Sequence, residues 1–232
     1  DSAMYYNEIA YALAKDNNFE ESLKRITTNM GLFYFDKAFY PEALRWFEQG
    51  LAISKTLKDT VYVAINMNFM GNVHLTMNKP EKAIEYYQIA LETIAPLGQN
   101  SRLMEILSNT GLLYHKTSDY DKALKYYEEA KQMAKQLNDT LSIVTFELNK
   151  SDVYIKMGRI DTSLLILEKV IEVAKPLAYN YRASLLLGLG YNNMAICYYQ
   201  NKDYQKSLRT AKLGLAICDK YQIYSDAKID IY

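Results

Sequence analysis

Apolar residues recur along the chain at the i, i+3, i+4 spacing of amphipathic helices, and short polar turns separate one segment from the next. One segment begins after Asp59, a candidate N-cap, and carries Val61 and Ile65 on its apolar stripes. Pro80 then interrupts the pattern, because proline cannot continue a helix but suits the first turn of a new one. The segment 81–95 follows with an apolar face of its own. The pattern predicts two consecutive helices.

This two-helix unit repeats every 40 residues without a gap over most of the chain. A fixed period of this size predicts a stacked array of supersecondary units, in which each unit contacts its neighbours. Small residues recur where one helix must approach another closely, and large residues recur where a gap must be filled. The small columns hold Gly31, Gly71, Gly111 and Ser151, and then Ala43, Ala83, Ala123 and Ser163, while the large column includes Phe47, Tyr87 and Tyr127.

The spacing of Gly71, His74, Ala83, Tyr87 and Ala90 resembles the tetratricopeptide repeat, whose signature is W-x2-L-G-x2-Y followed by A-x3-F. The usual repeat has 34 residues, so the longer period here implies longer helices or longer turns. Such long repeats are similar to those of kinesin light chains, Gram-positive peptide-pheromone receptors and Bacteroides-type sensor proteins. The resemblance implies an all-α fold, an α-α superhelix (a solenoid) of about five helix pairs with half-repeats at both ends.

The register of the repeats predicts one continuous array over 1–232. The last complete repeat holds an extra helical turn before Tyr191, because Ala195 follows Ser151 by four residues more than the period. The chain begins and ends in mid-repeat, which indicates a piece of a longer protein or a continuation that is disordered. A separate interpretation of the apolar array ends is a homodimer formed through them. The predicted parts are a half-repeat at 1–18, repeats at approximately 19–58, 59–98, 99–138, 139–177 and 178–222, and the start of a further helix at 225–232.

Composition narrows the classes of partner. The 27 Lys and Arg residues equal the 27 Asp and Glu residues, so this segment has no excess charge for nucleic acid or an anionic membrane. The most apolar stretch, 185–189, is far shorter than the roughly 20 residues that span a bilayer. Cys197 and Cys218 form no metal-binding or redox motif, and we expect no metal and no cofactor.

Residues with catalytic potential are few. His74 occupies the column of Tyr34 and Tyr114, which predicts a packed core residue. His115 borders the expected groove without an evident Ser or Cys nucleophile. The neighbouring carboxylates of Glu128 and Glu129 fit an ordinary solvated helix face. We therefore expect a protein that is not an enzyme.

The resemblance also implies a binding surface, because the first helices of such repeats line the concave face. Asparagines are prominent there, and an amide side chain can bind the backbone of an extended peptide. The alternative is that these amides bond to neighbouring helices and hold the stack. The basic residues do not fill the columns of a chaperone-type carboxylate clamp, so we expect a peptide held by its backbone and apolar side chains. The candidate groove residues are Arg25, Thr28, Asn29, Asn68, Asn72, Ser108, Asn109, Lys116, Asn149, Asp152, Lys156, Asn192 and Asn193.

The expected function is recognition of a protein or extended peptide by a non-enzymatic scaffold. The resemblance to sensor proteins indicates the sensory or docking segment of a larger bacterial regulatory protein, such as a histidine kinase of a two-component system or a transcriptional regulator. It favours a periplasmic over a cytoplasmic location. A cytosolic peptide-pheromone receptor or adaptor with extended repeats is the first alternative, and a self-association module is the second.

Overall fold

A computed structural model of the protein describes residues 2–98 and 101–220, with backbone only for residues 2–4. All regular secondary structure in these residues is helical, which confirms the predicted all-α class. The helix predicted at 225–232 lies outside the described residues. The α-helices are α1 (Ser2–Asp16), α2 (Glu20–Asp36), α3 (Tyr40–Thr56), α4 (Thr60–Thr76), α5 (Pro80–Ile94), α6 (Ser101–Lys116), α7 (Tyr120–Gln136), α8 (Thr140–Lys156), α9 (Ile160–Ala174), α10 (Tyr181–Gln200) and α11 (Tyr204–Lys220), and short 3-10 turns span Ala95–Leu97 and Lys175–Leu177.

The chain divides into two compact units, unit 1 (Asp1–Leu113) and unit 2 (Tyr114–Tyr232). In unit 1, each helix from α1 to α5 packs against the next in chain order, and α2 also contacts α4. In unit 2, the helices from α7 to α11 pack in the same order, and α8 also contacts α10. This is the packing of stacked helix pairs, as predicted for a solenoid of this class. That residues 1–232 form one continuous array stays a prediction.

The helix ends explain the regular period. One residue with positive φ follows most helices, and the next N–H reaches back to a carbonyl of the last turn, as from Phe39 to Tyr34 and from Lys79 to His74, both at 2.9 Å. A hydrogen bond from an N–H to the carbonyl five positions earlier is characteristic of the Schellman motif, which ends a helix and reverses the chain. The positive-φ residues are Asn18, Ala38, Lys58, Asn78, Gly98, Ser118, Asn138, Gly158 and Lys202, and all but the last follow one another at 20-residue steps.

The helices of a pair approach closely where a small residue meets a large one. A Cβ atom at Gly71 would lie 2.6 Å from Cε1 of Tyr87, and one at Gly31 would overlap the ring of Phe47. Both rings are completely buried. In the repeat of α8 and α9, the same two columns hold Ser151 in place of glycine and Leu167 in place of the aromatic residue, and both side chains are buried. Serine is larger than glycine and leucine is smaller than tyrosine, so the two changes in volume offset each other.

Serine hydroxyls add polar contacts within the helix pairs of unit 2. Ser163 Oγ donates a hydrogen bond to the carbonyl of Ser151 at 3.0 Å, and Ser207 Oγ donates one to the carbonyl of Ala195 at 2.8 Å. The equivalent column in unit 1 holds alanines. These bonds join α8 to α9 and α10 to α11 at the same level of the repeat.

A network of four charged side chains joins α7 to α8. Glu128 accepts hydrogen bonds from Lys131 at 2.6 Å and from Lys150 at 2.5 Å, and Lys131 also pairs with Glu147 at 2.8 Å. Burial alone would raise the pKa of Glu128, but the hydrogen bonds from Lys131, Lys150 and Gln132 lower this pKa to about 2. Glu128 is solvated as expected, with 40 % of its side chain exposed, but its carboxylate also bridges two helices, which the sequence did not indicate.

The first and last described helices expose apolar side chains. On α1 these include Tyr6 and Leu13, and on α11 they include Leu208 and Leu215. Leu124 and Leu164, which occupy the position of Leu208 in the two preceding repeats, are partly buried. Dimerisation through these ends stays a prediction.

The compensation in volume between a small residue on one helix and a large residue on its partner can be tested in unit 1. We expect Gly31→Ser to lower the free energy of unfolding by about 2 kcal/mol, because the added side chain overlaps Phe47. Combining it with Phe47→Leu reproduces the pair found in α8 and α9, and the double variant should lose at least ~1 kcal/mol less than the sum of the single losses. Urea denaturation followed by circular dichroism measures these values. Gly190→Ala, whose Cβ would lie 3.4 Å from Val170, serves as the control, and strictly additive losses would contradict the prediction.

The charge network predicts a pH-dependent contribution to stability. The pKa of Glu128 is lower in the folded protein than its ordinary value of 4.5, so the contribution is present above about pH 4.5 and disappears as the pH falls toward 2. Because the side chain is 40 % exposed, solvent screening reduces the effect of Glu128→Gln to about 1 kcal/mol at pH 7. Denaturation at several pH values should show this loss shrinking below pH 4. Glu129→Gln is the matched control on the same helix, and an equal loss for both variants would refute the prediction.

Candidate functional site

Helices α8 and α10 of unit 2 enclose a groove with a volume of about 450 Å³. Every polar side chain that lines it belongs to the set predicted from the sequence. We call this cavity the unit 2 groove; it is lined by Leu148, Asn149, Asp152 and Lys156 of α8 and by Leu189, Asn192, Asn193 and Ile196 of α10. The groove therefore combines amides, one carboxylate and one ammonium with three aliphatic side chains.

Helix capping sets the position of both groove helices. Asp139 caps α8 by accepting a hydrogen bond from the Ser142 N–H at 3.0 Å, and Asn180 caps α10 by accepting one from the Arg182 N–H at 2.8 Å. The Arg182 guanidinium donates a hydrogen bond to Ser142 Oγ at 3.1 Å, which ties the beginnings of the two helices together. Residues three and four apart on each helix then face the groove, as at Asp152 and Lys156.

The amides of the unit 2 groove are largely without partners. The side chains of Asn149 and Asn192 form no hydrogen bond with any other residue that the structure describes. Asn193 donates only a long bond of 3.4 Å to Ser151 Oγ. These half-buried amides therefore keep donors and acceptors that no described residue fully uses.

Three of the predicted amides of unit 1 are bonded to the protein instead. Asn109 Nδ2 donates to Asn68 Oδ1 at 3.0 Å, and Asn68 Nδ2 lies 3.5 Å from Glu105 Oε1, so these bonds join α6 to α4. Asn72 Oδ1 accepts a bond of 2.5 Å from the Tyr87 hydroxyl of α5. Asn68, Asn72 and Asn109 therefore hold neighbouring helices of unit 1 together, which was the alternative interpretation of the sequence.

Two of the predicted groove residues are not accessible. Thr28 and Asn68 are only 4 % and 2 % exposed, and Thr28 Oγ1 bonds to Asn66 Oδ1 at 3.2 Å. Their side chains point between helices rather than into a groove, because helical spacing alone does not separate a groove position from the adjacent buried one. We leave both out of the candidate site.

The remaining predicted residues are not among those that line the unit 2 groove. Arg25 and Asn29 are exposed on α2, and Ser108 is half-buried on α6. Lys116 is exposed at the end of α6, within unit 2.

A histidine contacts the groove carboxylate. His115 Nε2 lies 3.6 Å from Asp152 Oδ2, with the histidine side chain 12 % exposed and the aspartate side chain 41 % exposed. Burial lowers the pKa of His115, the Asp152 charge opposes this shift, and Lys156 adds to it, so the pKa stays below its ordinary value. His115 is therefore neutral at pH 7. The sequence placed it at the border of the groove, but its contact with Asp152 could not be seen in the repeat pattern.

Tyr127 of α7 carries a buried hydroxyl that has no hydrogen-bond partner among the described atoms. Burial raises the pKa of Tyr127, and the charge of Asp152 raises it further, so the hydroxyl remains protonated and lies within the field of that carboxylate. In unit 1, the hydroxyl of the equivalent tyrosine, Tyr87, donates a hydrogen bond to Asn72 Oδ1. Sequence reasoning treated Tyr127 only as a packing residue.

His74 is buried against Tyr86, with the two rings stacked at a centroid distance of 5.2 Å. Burial lowers the pKa of His74, which keeps the imidazole neutral. Across the described ranges, no group of His, Cys, Asp and Glu side chains is arranged to hold a metal ion. None of the helices described here is both long and apolar enough to cross a bilayer.

The fold resembles several solved structures at low sequence identity. BtubC from P. vanneervenii superposes with a TM-score of 0.79 at 16% identity, and the match covers 97% of this chain and 91% of that one. A Rap protein in complex with competence and sporulation factor gives a TM-score of 0.72 at 12% identity, covering 87% of this chain and 55% of that one. At these identities the likeness shows a shared fold.

A third similar structure is a signal-transduction ATPase with a tetratricopeptide repeat sensor from Pyrococcus horikoshii, with a TM-score of 0.75 at 17% identity. The match covers 99% of this chain and 36% of that protein. No curated protein sequence matches this chain. The tetratricopeptide repeat family model, however, matches residues 25–95 and 102–175, which together form more than half of the sequence. The chain therefore belongs to the tetratricopeptide repeat family, whose fold serves as a scaffold for protein interactions.

Proposed function

We propose that the unit 2 groove binds an extended peptide segment of a partner protein and that this role is non-enzymatic. The observation that carries the proposal is the pair of half-buried amides, Asn149 and Asn192, that no described residue satisfies. Each amide offers two N–H donors and one carbonyl acceptor, which complement the C=O and N–H groups of a peptide backbone. A backbone in this groove is held whatever its side chains.

The aliphatic residues of the groove support the same ligand class. Leu148, Leu189 and Ile196 form apolar walls beside the amides. An apolar ligand side chain buried there gains roughly 25 cal/mol for each Å² of apolar surface removed from water. Bonds to the backbone and burial of side chains then act together, as in binding sites that are mostly apolar with a few placed polar groups.

For the whole protein we propose the sensory or docking segment of a larger bacterial regulatory protein, such as a histidine kinase or a transcriptional regulator. The similarity to a signal-transduction ATPase that carries a repeat sensor supports this role. The similarity to a Rap protein bound to competence and sporulation factor supports the alternative of a peptide receptor. The full reading frame separates the two: a signal peptide with a membrane span and kinase domain indicates a periplasmic sensor, and an upstream helix-turn-helix indicates a cytosolic receptor.

The proposed binding site is tested by changing its amides. A peptide selected from a random phage-displayed library against the full chain serves as the ligand. We expect Asn149→Ala with Asn192→Ala to weaken its binding by about 30-fold, because two hydrogen bonds of about 1 kcal/mol each are lost. The thermal melt should stay unchanged, since neither amide bonds to another described residue. Isothermal titration calorimetry and circular dichroism measure the two quantities.

The matched control is the bonded amide pair of unit 1. Asn68→Ala with Asn109→Ala removes the 3.0 Å bond between α4 and α6 and should lower the free energy of unfolding by about 1 to 3 kcal/mol while leaving affinity unchanged. Equal affinity of the unit 2 variant and the unaltered protein would rule out the proposed site. A library that yields no binder at all would argue against peptide recognition by this groove.

A further inference from the structure

A second cavity of unit 2 lies on another side of α8, between α8 and α9. Its volume is about 390 Å³, within the range of roughly 300 to 1,000 Å³ that is usual for small-molecule sites. We call it the α8–α9 cavity; it is lined by Ile143, Val144, Glu147 and Lys150 of α8 and by Ile166, Lys169, Val170 and Val173 of α9. Ile143 and the groove residue Asp152 are separated by about two and a half helical turns, so they project from opposite sides of α8.

In the preceding repeats, an aromatic side chain occupies the position of Ile166. The column holds Trp46, Tyr86 and Tyr126. Trp46 of α3 meets Tyr11 of α1 edge to face, with the ring centroids 5.1 Å apart. Tyr86 of α5 packs against a buried cluster formed by α3 and α4. In unit 1, the ring at this position therefore fills space beside the helices that precede its own.

Ile166 leaves that space open in unit 2. The hydrophobic cluster against which it packs contains residues of α8, α9 and α10 and, among the described residues, none of α7. Isoleucine is branched at Cβ and extends less far from the backbone than a tyrosine or tryptophan ring. The α8–α9 cavity thus lies where the other repeats place a ring.

Ion pairs hold the two charged residues of α8 at the wall of the cavity. Glu147 pairs with Lys131 at 2.8 Å, and Lys150 pairs with Glu128 at 2.5 Å. Both partners belong to α7, so the charged ends of Glu147 and Lys150 are directed toward that helix. These four charges neutralise one another and leave the neighbouring apolar surface uncovered.

Lys169 is a cation at the cavity that no described carboxylate neutralises. Its side chain is exposed, and it forms no ion pair with any residue that the structure describes. Gln49, Ile89 and Glu129 occupy its position in the three preceding repeats, so the positive charge is specific to this one. A ligand that carries an anionic group complements this charge.

We propose that the α8–α9 cavity binds a small aromatic carboxylate. The ring lies against Ile143, Ile166 and Val170, where its burial removes apolar surface from water. The carboxylate stays at the exposed edge beside Lys169, so it keeps part of its hydration while it pairs with the ammonium. This site is separate from the unit 2 groove and does not rest on the proposed peptide binding.

A titration of the full chain with 3-phenylpropanoate tests the site. The protein is labelled at the methyl groups of isoleucine and valine and observed by NMR spectroscopy. We expect chemical-shift changes at the lining residues and none at Ile196 of the unit 2 groove or at Ile53, which occupies the column of Val173 in unit 1. The responding residues should be Ile143, Val144, Ile166, Val170 and Val173. No change at these methyl groups, or changes at Ile196 alone, would overturn the proposal.

Three related compounds test the chemistry of the ligand. The neutral 3-phenylpropanamide should bind about threefold more weakly than the acid, the size expected of an exposed ion pair. The cationic 3-phenylpropylamine should bind more weakly still, because Lys169 repels it. Hexanoate, a linear acid without a ring, should also bind more weakly. Equal affinity for the acid and the amide, or tighter binding of the amine or of hexanoate, would contradict an aromatic carboxylate.

Two variants assign the binding to named residues. Ile166→Tyr restores the residue of the preceding repeats and should weaken binding of the acid by about tenfold, because the new ring takes the place of the ligand ring. Its thermal melt should be unchanged or higher, as expected when a cavity is filled. Lys169→Gln introduces the residue found at Gln49 and should make the acid and the amide bind equally, while the Ile166 methyl groups still respond.

The amide variant of the groove is the matched control. Asn149→Ala with Asn192→Ala should leave binding of 3-phenylpropanoate unchanged, since neither residue lines the α8–α9 cavity. A loss of binding in this variant would place the acid in the unit 2 groove instead. Undiminished binding to Ile166→Tyr would likewise show that the acid does not occupy the space of the missing ring.

Discussion

The close approach of the two helices in each pair is the constraint on which the rest of the fold depends. Gly71 lets the ring of Tyr87 occupy the space that a Cβ atom would take, and Gly31 does the same for Phe47. Once these faces are buried, the direction of every other residue on the helix is fixed by the 3.6-residue turn. The polar face that remains is then available to form a groove. In the repeat of α8 and α9, Ser151 and Leu167 meet the same volume requirement with different residues.

The fold followed from the sequence because two rules, one for helix ends and one for helix packing, agree at most repeats. Helix ends recur at 20-residue steps through positive-φ residues such as Asn78 and Asn138, and small and large columns recur at twice that step. Local chain reversal and long-range packing thus specify the same arrangement, which is the consistency expected of a foldable sequence. The groove lining of unit 2 followed for the same reason, since Asn149 and Asn193 lie in one repeat column.

The state of each amide could not be predicted, because it depends on partners outside the repeat register. Asn109 reaches Asn68, which is 41 residues away rather than 40, so the bond runs between neighbouring columns. Periodicity describes what is equivalent between repeats, whereas these bonds depend on what differs. Lys131 illustrates the same limit. It occupies a column that holds Leu91 and Ile171 elsewhere, and its burial among carboxylates appears only when α7 and α8 are in place.

Residues at one polar position of the repeat therefore have different roles in the two units. In unit 1, Asn72 satisfies a buried tyrosine, and the resulting hydrogen bond contributes to holding α4 against α5. In unit 2, Asp152 occupies that column, and Tyr127 keeps a protonated hydroxyl without a partner. A buried polar group left unpaired destabilises the fold by about 1 to 3 kcal/mol. The Tyr127 hydroxyl of α7 thus lowers the stability of unit 2, whereas the bond between Tyr87 and Asn72 avoids the same loss in unit 1.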